Sequence, residues 1–333
     1  MKLTVLAGGF GGAKMAHGFA LLAHDPGERG LAAPRPLELS IVGNTADDVE
    51  IHGLHVSPDL DTLMYTLAGL ANPESGWGLR DETWSNVDML ARYGAPTWFR
   101  LGDRDLATQL LRTERLRAGE RLTTVTEALA DALGVAARLR PATDDTVRTH
   151  VRTEAGWVGF QEYFVLRRHA DEVRELRFEG AAEARPTREA LAAIAEAELL
   201  VLAPSNPFVS IGAILAVPGI AEALLAARAP VVAISPIVGG RALRGPADQM
   251  FVSLGGDPSA LGVARHYVER YPRLLDALVI DRVDGDQARQ VEATALAVMV
   301  TDTVMRVEAD RRRLAAEVLG FADTQLAATG GHR

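Results

Sequence analysis

Short apolar runs alternate along the chain with longer stretches whose apolar positions recur every three to four residues. That alternation is the signature of βαβ units and predicts a mostly parallel sheet covered by helices. Lys2–Ala7 reads as the first strand, followed by a glycine loop and a helix over residues 13–22. A polar loop at 24–36 leads to a second strand at 37–42. Residues 58–71 read as a helix with Pro58 at its first position and acids in its first turn. Residues 103–118 form a charged amphipathic helix, and Thr124-x-x-Glu127 has the form of a capping box opening another. The stretch 146–165 alternates Val, Arg and Thr around Glu154-Ala155-Gly156, which predicts a hairpin. Strands follow at 199–203, 231–235, 277–281 and 296–300, then a closing helix at 303–319 and a frayed tail from Thr329 to Arg333.

The middle third, about 76–180, holds most of the irregular segments and reads as an inserted helical and hairpin subdomain. The flanking parts form one Rossmann-like, three-layer αβα domain across the 333-residue chain. In such sheets ligands bind at the carboxyl ends of the strands, so those loops are where chemistry is expected. The charge balance of 35 basic and 44 acidic residues gives a net −9, which argues against nucleic acid as the partner. Cysteine is absent, which excludes disulfides, thiolate metal sites and a cysteine nucleophile, and fits a cytoplasmic protein. No apolar run reaches the roughly 18 to 20 residues of a membrane span. The short N-terminal run passes straight into glycines, so it reads as a strand and not as a signal peptide.

Four loops carry candidate chemistry. Gly8-Gly9-Phe10-Gly11-Gly12-Ala13-Lys14 offers backbone N–H donors at a helix start, suited to a phosphate. It fails the dinucleotide fingerprint, because Lys14 stands where glycine is required and Gly43-Asn44-Thr45 follows the second strand where an acid is expected. It fails the P-loop pattern too, because Met15 follows Lys14. The expectation is a phosphate-binding loop of another kind. Asp47, Asp48, Asp59 and Asp61 could supply the one or two carboxylates that Mg²⁺ usually takes beside substrate phosphates. The same aspartates also suit an Asx turn and a helix first turn without any ligand. Ser205 and Asn206 follow a buried strand and could cap a helix or hold a phosphate or a base. Arg241 and Arg244, set among glycines after another strand, read as anion recognition. Trp77, Trp84 and Trp98 crowd one segment where a flat ligand could stack or a small core could form. Arg104, beside the N-cap candidate Asp103, is open to a functional role, whereas His52 and His55 make only a weak metal pair.

Together these segments resemble the 2-phospho-L-lactate transferase family of deazaflavin coenzyme biosynthesis, the CofD/FbiA type. The resemblance rests on the glycine loop, Asn44-Thr45-Ala46-Asp47-Asp48, Ser57-Pro58-Asp59-Leu60-Asp61-Thr62, Leu101-Gly102-Asp103-Arg104-Asp105, Ala203-Pro204-Ser205-Asn206-Pro207 and residues 240–245, and it spans nearly the whole chain. It implies transfer of a phospho-three-carbon acid from a guanylyl diphosphate donor to the ribityl hydroxyl of 7,8-didemethyl-8-hydroxy-5-deazariboflavin, with release of GMP, in coenzyme F-420 biosynthesis. It also implies Mg²⁺ and a homodimer. Arg80-Asp81-Glu82-Thr83-Trp84 looks closer to bacterial members, which tilts the acid toward phosphoenolpyruvate over 2-phospholactate. On this reading Asp48 and Asp59 are the catalytic candidates, with Asp48 taken for acceptor contact or proton removal over Asp59. Asp48, Asp59 and Asp61 are the metal candidates. Gly8, Gly9, Gly11, Gly12, Lys14, Asn44, Thr45, Arg80, Arg104, Ser205, Asn206 and Arg244 are the substrate and nucleotide candidates. Two other classes stand beside it: a nucleotide-sugar-binding regulator of the related gluconeogenesis-factor type, and a plain Rossmann oxidoreductase.

Overall fold

β1 (Lys2–Ala7) lies inside a seven-stranded sheet, with a neighbour on each side and every residue after Lys2 buried. A run that is apolar on both faces is what such a position demands. The computed structural model describes residues 1–24 and 36–326. After β1 come α1 (Gly9–His24), β2 (Glu38–Gly43), a small hairpin of β3 (Val49–Ile51) and β4 (Leu54–Val56), and helices α2 (Pro58–Leu67), α3 (Ser85–Arg92), α4 (Asp103–Arg117) and α5 (Leu122–Ala132). β5 (Arg138–Pro141) precedes β6 (Arg148–Thr153), β7 (Gly156–Gly159) and β8 (Glu175–Glu179). Then come α6 (Arg188–Ala195), β9 (Leu199–Leu202), α7 (Gly212–Leu215), α8 (Ile220–Ala226), β10 (Val231–Ile234), β11 (Ile237–Val238) and β12 (Arg241–Ala242). The chain closes with α9 (Ala247–Ser253), α10 (Ala260–Arg270), β13 (Ala277–Asp281), α11 (Ala288–Glu292), β14 (Ala297–Thr301) and α12 (Glu308–Phe321).

The main sheet has the order β14-β13-β10-β9-β1-β2-β5, and every pairing in it is parallel. Successive side chains of a strand point to opposite faces, so Val5 and Leu6 enter two different cores. Val5 packs with Phe19 of α1, Leu63 of α2, Val125 of α5 and Leu314 of α12. Leu6 packs with Ile194 of α6, Ile214 of α7, Leu224 of α8 and Val263 of α10. These are the three layers the sequence pattern predicts. Among the described residues no single helix is long and apolar enough to cross a membrane.

Several boundaries differ from the sequence reading, each for a local reason. The glycine loop contracts to Gly8, because α1 begins at Gly9 and its first turn contains Gly11 and Gly12. α2 stops at Leu67, before Gly69 in the left-handed region at φ +69. The capping box at Thr124 does not form. Instead α5 starts at Leu122, and Asp144 Oδ1 accepts from the Thr123 N–H and hydroxyl at 2.7 Å each. α3 is an element the sequence reading lacks. Two elements within residues 76–180 join the main layers. α5 packs in the main core, and β5 pairs in parallel with β2 as the sheet's edge strand. What stands apart from the main sheet is the antiparallel β7-β6-β8 sheet, the predicted hairpin plus a third strand at Glu175–Glu179. α12 begins five residues later than expected, which leaves 302–307 as a loop at the carboxyl end of β14. Residues 25–35 of the predicted loop, and the tail predicted to fray, lie outside the described residues.

Candidate active site

A cavity of about 670 Å³ opens at the carboxyl ends of the central strands. Its wall takes in the glycine turn after β1, the start of α2, the loop after β9, the segment after β10 and the loop after β14. Aspartates reach it because Pro58 starts α2 there, which places Asp59 and Asp61 in a first turn on the cavity wall.

The glycine turn is wired rather than free. The Gly8 N–H donates to Ser205 Oγ at 3.2 Å, and the Ser205 hydroxyl donates back to the Gly8 carbonyl at 2.8 Å. The Gly9 N–H donates to Asp59 Oδ1 at 2.8 Å, while Asn44 Nδ2 donates to Asp59 Oδ2 at 2.9 Å. A Cβ at Gly11 would lie 2.4 Å from the Pro204 carbonyl oxygen, and one at Gly12 would lie 2.5 Å from Ser205 Oγ. These glycines therefore let the turn after β1 meet the loop after β9, a demand separate from any ligand. Asn206 is engaged locally in the same way, because its Oδ1 accepts from the N–H groups of Phe208 and Val209 and caps the helical turn that follows. Thr45 is buried, with its carbonyl accepting from the Asp48 N–H at 3.3 Å.

Asp47, Asp59, Asp61 and Asp105 line the cavity, and Asp48 does not. Asp48 Oδ2 accepts from the Ser57 hydroxyl at 2.8 Å and meets His55 Nε2 at 2.9 Å. The carboxylate on the wall from that loop is its neighbour, Asp47. Burial raises the Asp47 carboxyl well above the usual range, and the charge of Asp59 adds to the effect. Burial pushes Asp59 up to about 6, against the Asn44 and Gly9 hydrogen bonds that favour its charged form. Asp47 Oδ1 is buried with no hydrogen-bond partner. Asp61 is committed elsewhere: both its oxygens are held by the buried Arg112, and Gln109 Nε2 donates to Oδ2 at 2.9 Å. Gln109 and the Tyr65 hydroxyl both donate to Asp105 Oδ1, and burial pushes Asp105 up to about 6.

Among the described residues no three His, Asp or Glu side chains group as a metal site, so His52 and His55 gain no third ligand. Mg²⁺, however, keeps several waters and takes only one or two carboxylates beside substrate phosphates. The orphaned Oδ1 of Asp47 fits that demand; Asp48 also has an unpartnered Oδ1 but lies off the cavity wall, Asp59 lies on the wall with its oxygens accepting from Gly9 and Asn44, and Asp61 is held by Arg112 and Gln109.

The cations divide in the same way. The Lys14 ammonium and the Arg244 guanidinium each lie 4.4 Å from the centre of the Phe10 ring, on the cavity wall. Lys14 donates to the Met305 carbonyl at 2.6 Å, and burial with the nearby Arg311 and Arg244 charges lowers it to about 8. Arg244 donates to the Ser75 and Glu74 carbonyls at 2.6 and 2.9 Å. Arg80 and Arg104 are not on the wall: Arg80 donates to the Gly69 carbonyl and Arg104 to the Arg80 carbonyl. Trp77 and Trp98 line the cavity but Trp84 does not, so Trp84 offers no stacking surface there. Sequence reasoning missed Phe10, Arg100, Asp105, Phe160, Phe164 and Arg306 on the wall. Only Asp105 carried a sequence signal, as the second acid in the first turn of α4.

Comparisons with known proteins show the family. Residues 3–325 match the family described as 2-phospho-L-lactate transferase CofD. A phosphoenolpyruvate transferase of Mycobacterium avium is 45% identical over 325 residues, covering 92% of this chain and 96% of its own. One from Mycobacterium tuberculosis strain H37Rv is 44% identical over 338 residues, covering 96% and 99%. A solved structure of a UPF0052 family member from Bacillus halodurans has a TM-score of 0.64 at 14% identity, covering 95% of this chain and 98% of its own, a likeness of fold. With its cavity at the strand ends and a match over almost its whole length, the chain belongs to the 2-phospho-L-lactate transferase family and is a transferase.

Proposed function

We propose that the protein transfers a phosphoenolpyruvyl group from a guanylyl diphosphate donor to the ribityl hydroxyl of the deazariboflavin, in coenzyme F-420 biosynthesis. The names of the mycobacterial relatives favour phosphoenolpyruvate over 2-phospholactate as the acid. The observation that carries the reading is the buried Asp47–Asp59 pair, which faces the glycine turn in a cavity of about 670 Å³. That volume lies within the range of ligand pockets.

In the reaction, the terminal ribityl oxygen forms a bond to the phosphorus that carries the acid. The bridging P–O bond breaks, GMP leaves with that oxygen, and the hydroxyl proton passes to a carboxylate. Little covalent work falls to the protein, so positioning and charge neutralisation dominate. Lys14 and Arg244 supply positive charge at the glycine turn for the diphosphate. Asp59, held by Gly9 and Asn44, keeps a fixed orientation and is placed to accept the proton. Asp47 and Asp59 would hold a magnesium ion, which when bound would offset charge on the departing phosphate. The apolar wall, including Phe160 and Val209, excludes water that would otherwise compete as acceptor. Catalysis takes place in the cytoplasm and in a homodimer on this reading, the latter checked by light scattering.

The test is to incubate purified protein with the deazariboflavin and each guanylyl donor and to read the products by mass. A phosphodiester product and GMP in equal amounts support the reading. Recovery of unchanged acceptor with both donors contradicts it.

A further inference from the structure

Arg100 differs from Lys14 and Arg244, which direct donors to backbone carbonyls. It lines the cavity, yet among the described residues its side chain has neither an ion pair nor a hydrogen bond. What holds it is an aromatic ring: the guanidinium lies 4.0 Å from the centre of Trp84. Trp84 in turn meets Trp77 edge to face, with ring centres 6.3 Å apart. A guanidinium resting on a ring is oriented while its N–H donors remain available to a ligand. Its chain neighbours Trp98, Phe99 and Leu101 also line the cavity, while Arg100 itself is exposed, so its N–H donors are open to a ligand.

The aromatic contacts of this cation also differ from those of the other two, which share the Phe10 ring. A Cβ at Gly76 would meet Arg244 Nη1 at 2.3 Å and Phe10 at 2.9 Å, so Gly76 marks the Lys14–Arg244 end. Trp77 comes next in the chain and leads through Trp84 to Arg100. The diphosphate belongs at the glycine turn, beside Lys14 and Arg244. Arg100 is then available for the other anion of the donor, a carboxylate, whose two oxygens match a guanidinium fork. We propose that Arg100, positioned by Trp84, binds the carboxylate of the donor's three-carbon acid and so selects the acid-bearing donor over free guanosine diphosphate. This rests on the function proposed above.

The experiment is calorimetric titration of the full-length protein with guanosine diphosphate and with 2-phospholactyl guanylyl diphosphate, which carries the same carboxylate. The wild type should bind the acid-bearing compound at least about tenfold more tightly, the scale of a hydrogen-bonded charge pair. Arg100→Met should remove that preference and leave guanosine diphosphate affinity unchanged. Arg100→Lys, which keeps the charge without the fork, should retain only part of it. Trp84→Leu should lower the preference and Trp84→Phe should largely preserve it, because a phenyl ring still supports the guanidinium. Equal weakening of both ligands in Arg100→Met, or no change in either, overturns the assignment while the proposed function stands. A wild type that binds neither guanylyl compound overturns both.

Discussion

Asp47 is a buried carboxylate with one oxygen that meets no donor, and it shares its cavity with Asp59. A carboxyl whose titration is raised in the folded protein binds protons more readily there than in the unfolded chain. Its contribution to stability therefore falls as pH rises above its ordinary 3.8. Asp47→Asn removes the conflict, so it should melt higher than the wild type at neutral pH and lose transfer activity by at least about tenfold. Calorimetric melting and steady-state rates check the two halves, and full activity in the variant would remove Asp47 from the site. Lys14 gives a second prediction, in a higher pH range. Its charge is present below about pH 8 and is lost above it. Affinity for guanosine diphosphate should therefore weaken as pH rises through 8, and Lys14→Met should bind weakly with no such step. Titrations across that range in both proteins decide the matter.

The elements around the cavity are tied by Arg112 of α4 to Asp61 of α2, both buried. Removing one partner of such a pair leaves the other charge buried, at a cost of roughly 3–5 kcal/mol. Arg112→Met should show that loss in chemical denaturation, and adding Asp61→Asn should recover part of it. If the single variant melts like the wild type, the pair does not hold α4 to α2. This pair also shows where sequence reading stops. Asp59 and Asp61 look equivalent in Pro58-Asp59-Leu60-Asp61, but only Arg112, 51 positions later, separates a structural carboxylate from a site carboxylate. The same limit explains Asp47 and Asp48, since the partners of Asp48 come from Ser57 and His55 across the β3–β4 hairpin. β1, β9, β10 and β13 were legible within a residue because central parallel strands are apolar on both faces. β5 was not, because Arg138-Leu139-Arg140-Pro141 carries a single strand-forming apolar residue, Leu139. Arginine and proline are what an exposed edge strand carries against unwanted pairing.

On the scale of the whole molecule, the parallel order, the three layers and the converging loops follow from the alternation of runs along the chain. The shape of the cavity does not, because it depends on side chains from loops that span nearly the entire sequence, from Gly8 to Arg306. A ligand that fills it should therefore stabilise the whole fold by mass action. Guanosine diphosphate should raise the melting temperature, with NAD, ATP and nucleotide sugars doing so weakly. Gly11→Val should abolish the shift, since its side chain would strike the Pro204 carbonyl. A larger shift with a nucleotide sugar would favour a regulator, and one with NAD an oxidoreductase.

The proposed reaction requires the acceptor hydroxyl to attack phosphorus within the cavity that Asp47 and Asp59 line. The most direct measurement uses deazariboflavin labelled with heavy oxygen at its terminal ribityl hydroxyl, the unlabelled donor and the purified enzyme, with both products weighed by mass spectrometry. The label should stay in the phosphodiester product, GMP should carry none, and Asp59→Asn should form at least about tenfold less of both. Labelled GMP, or wild-type yields from Asp59→Asn, would contradict this chemistry.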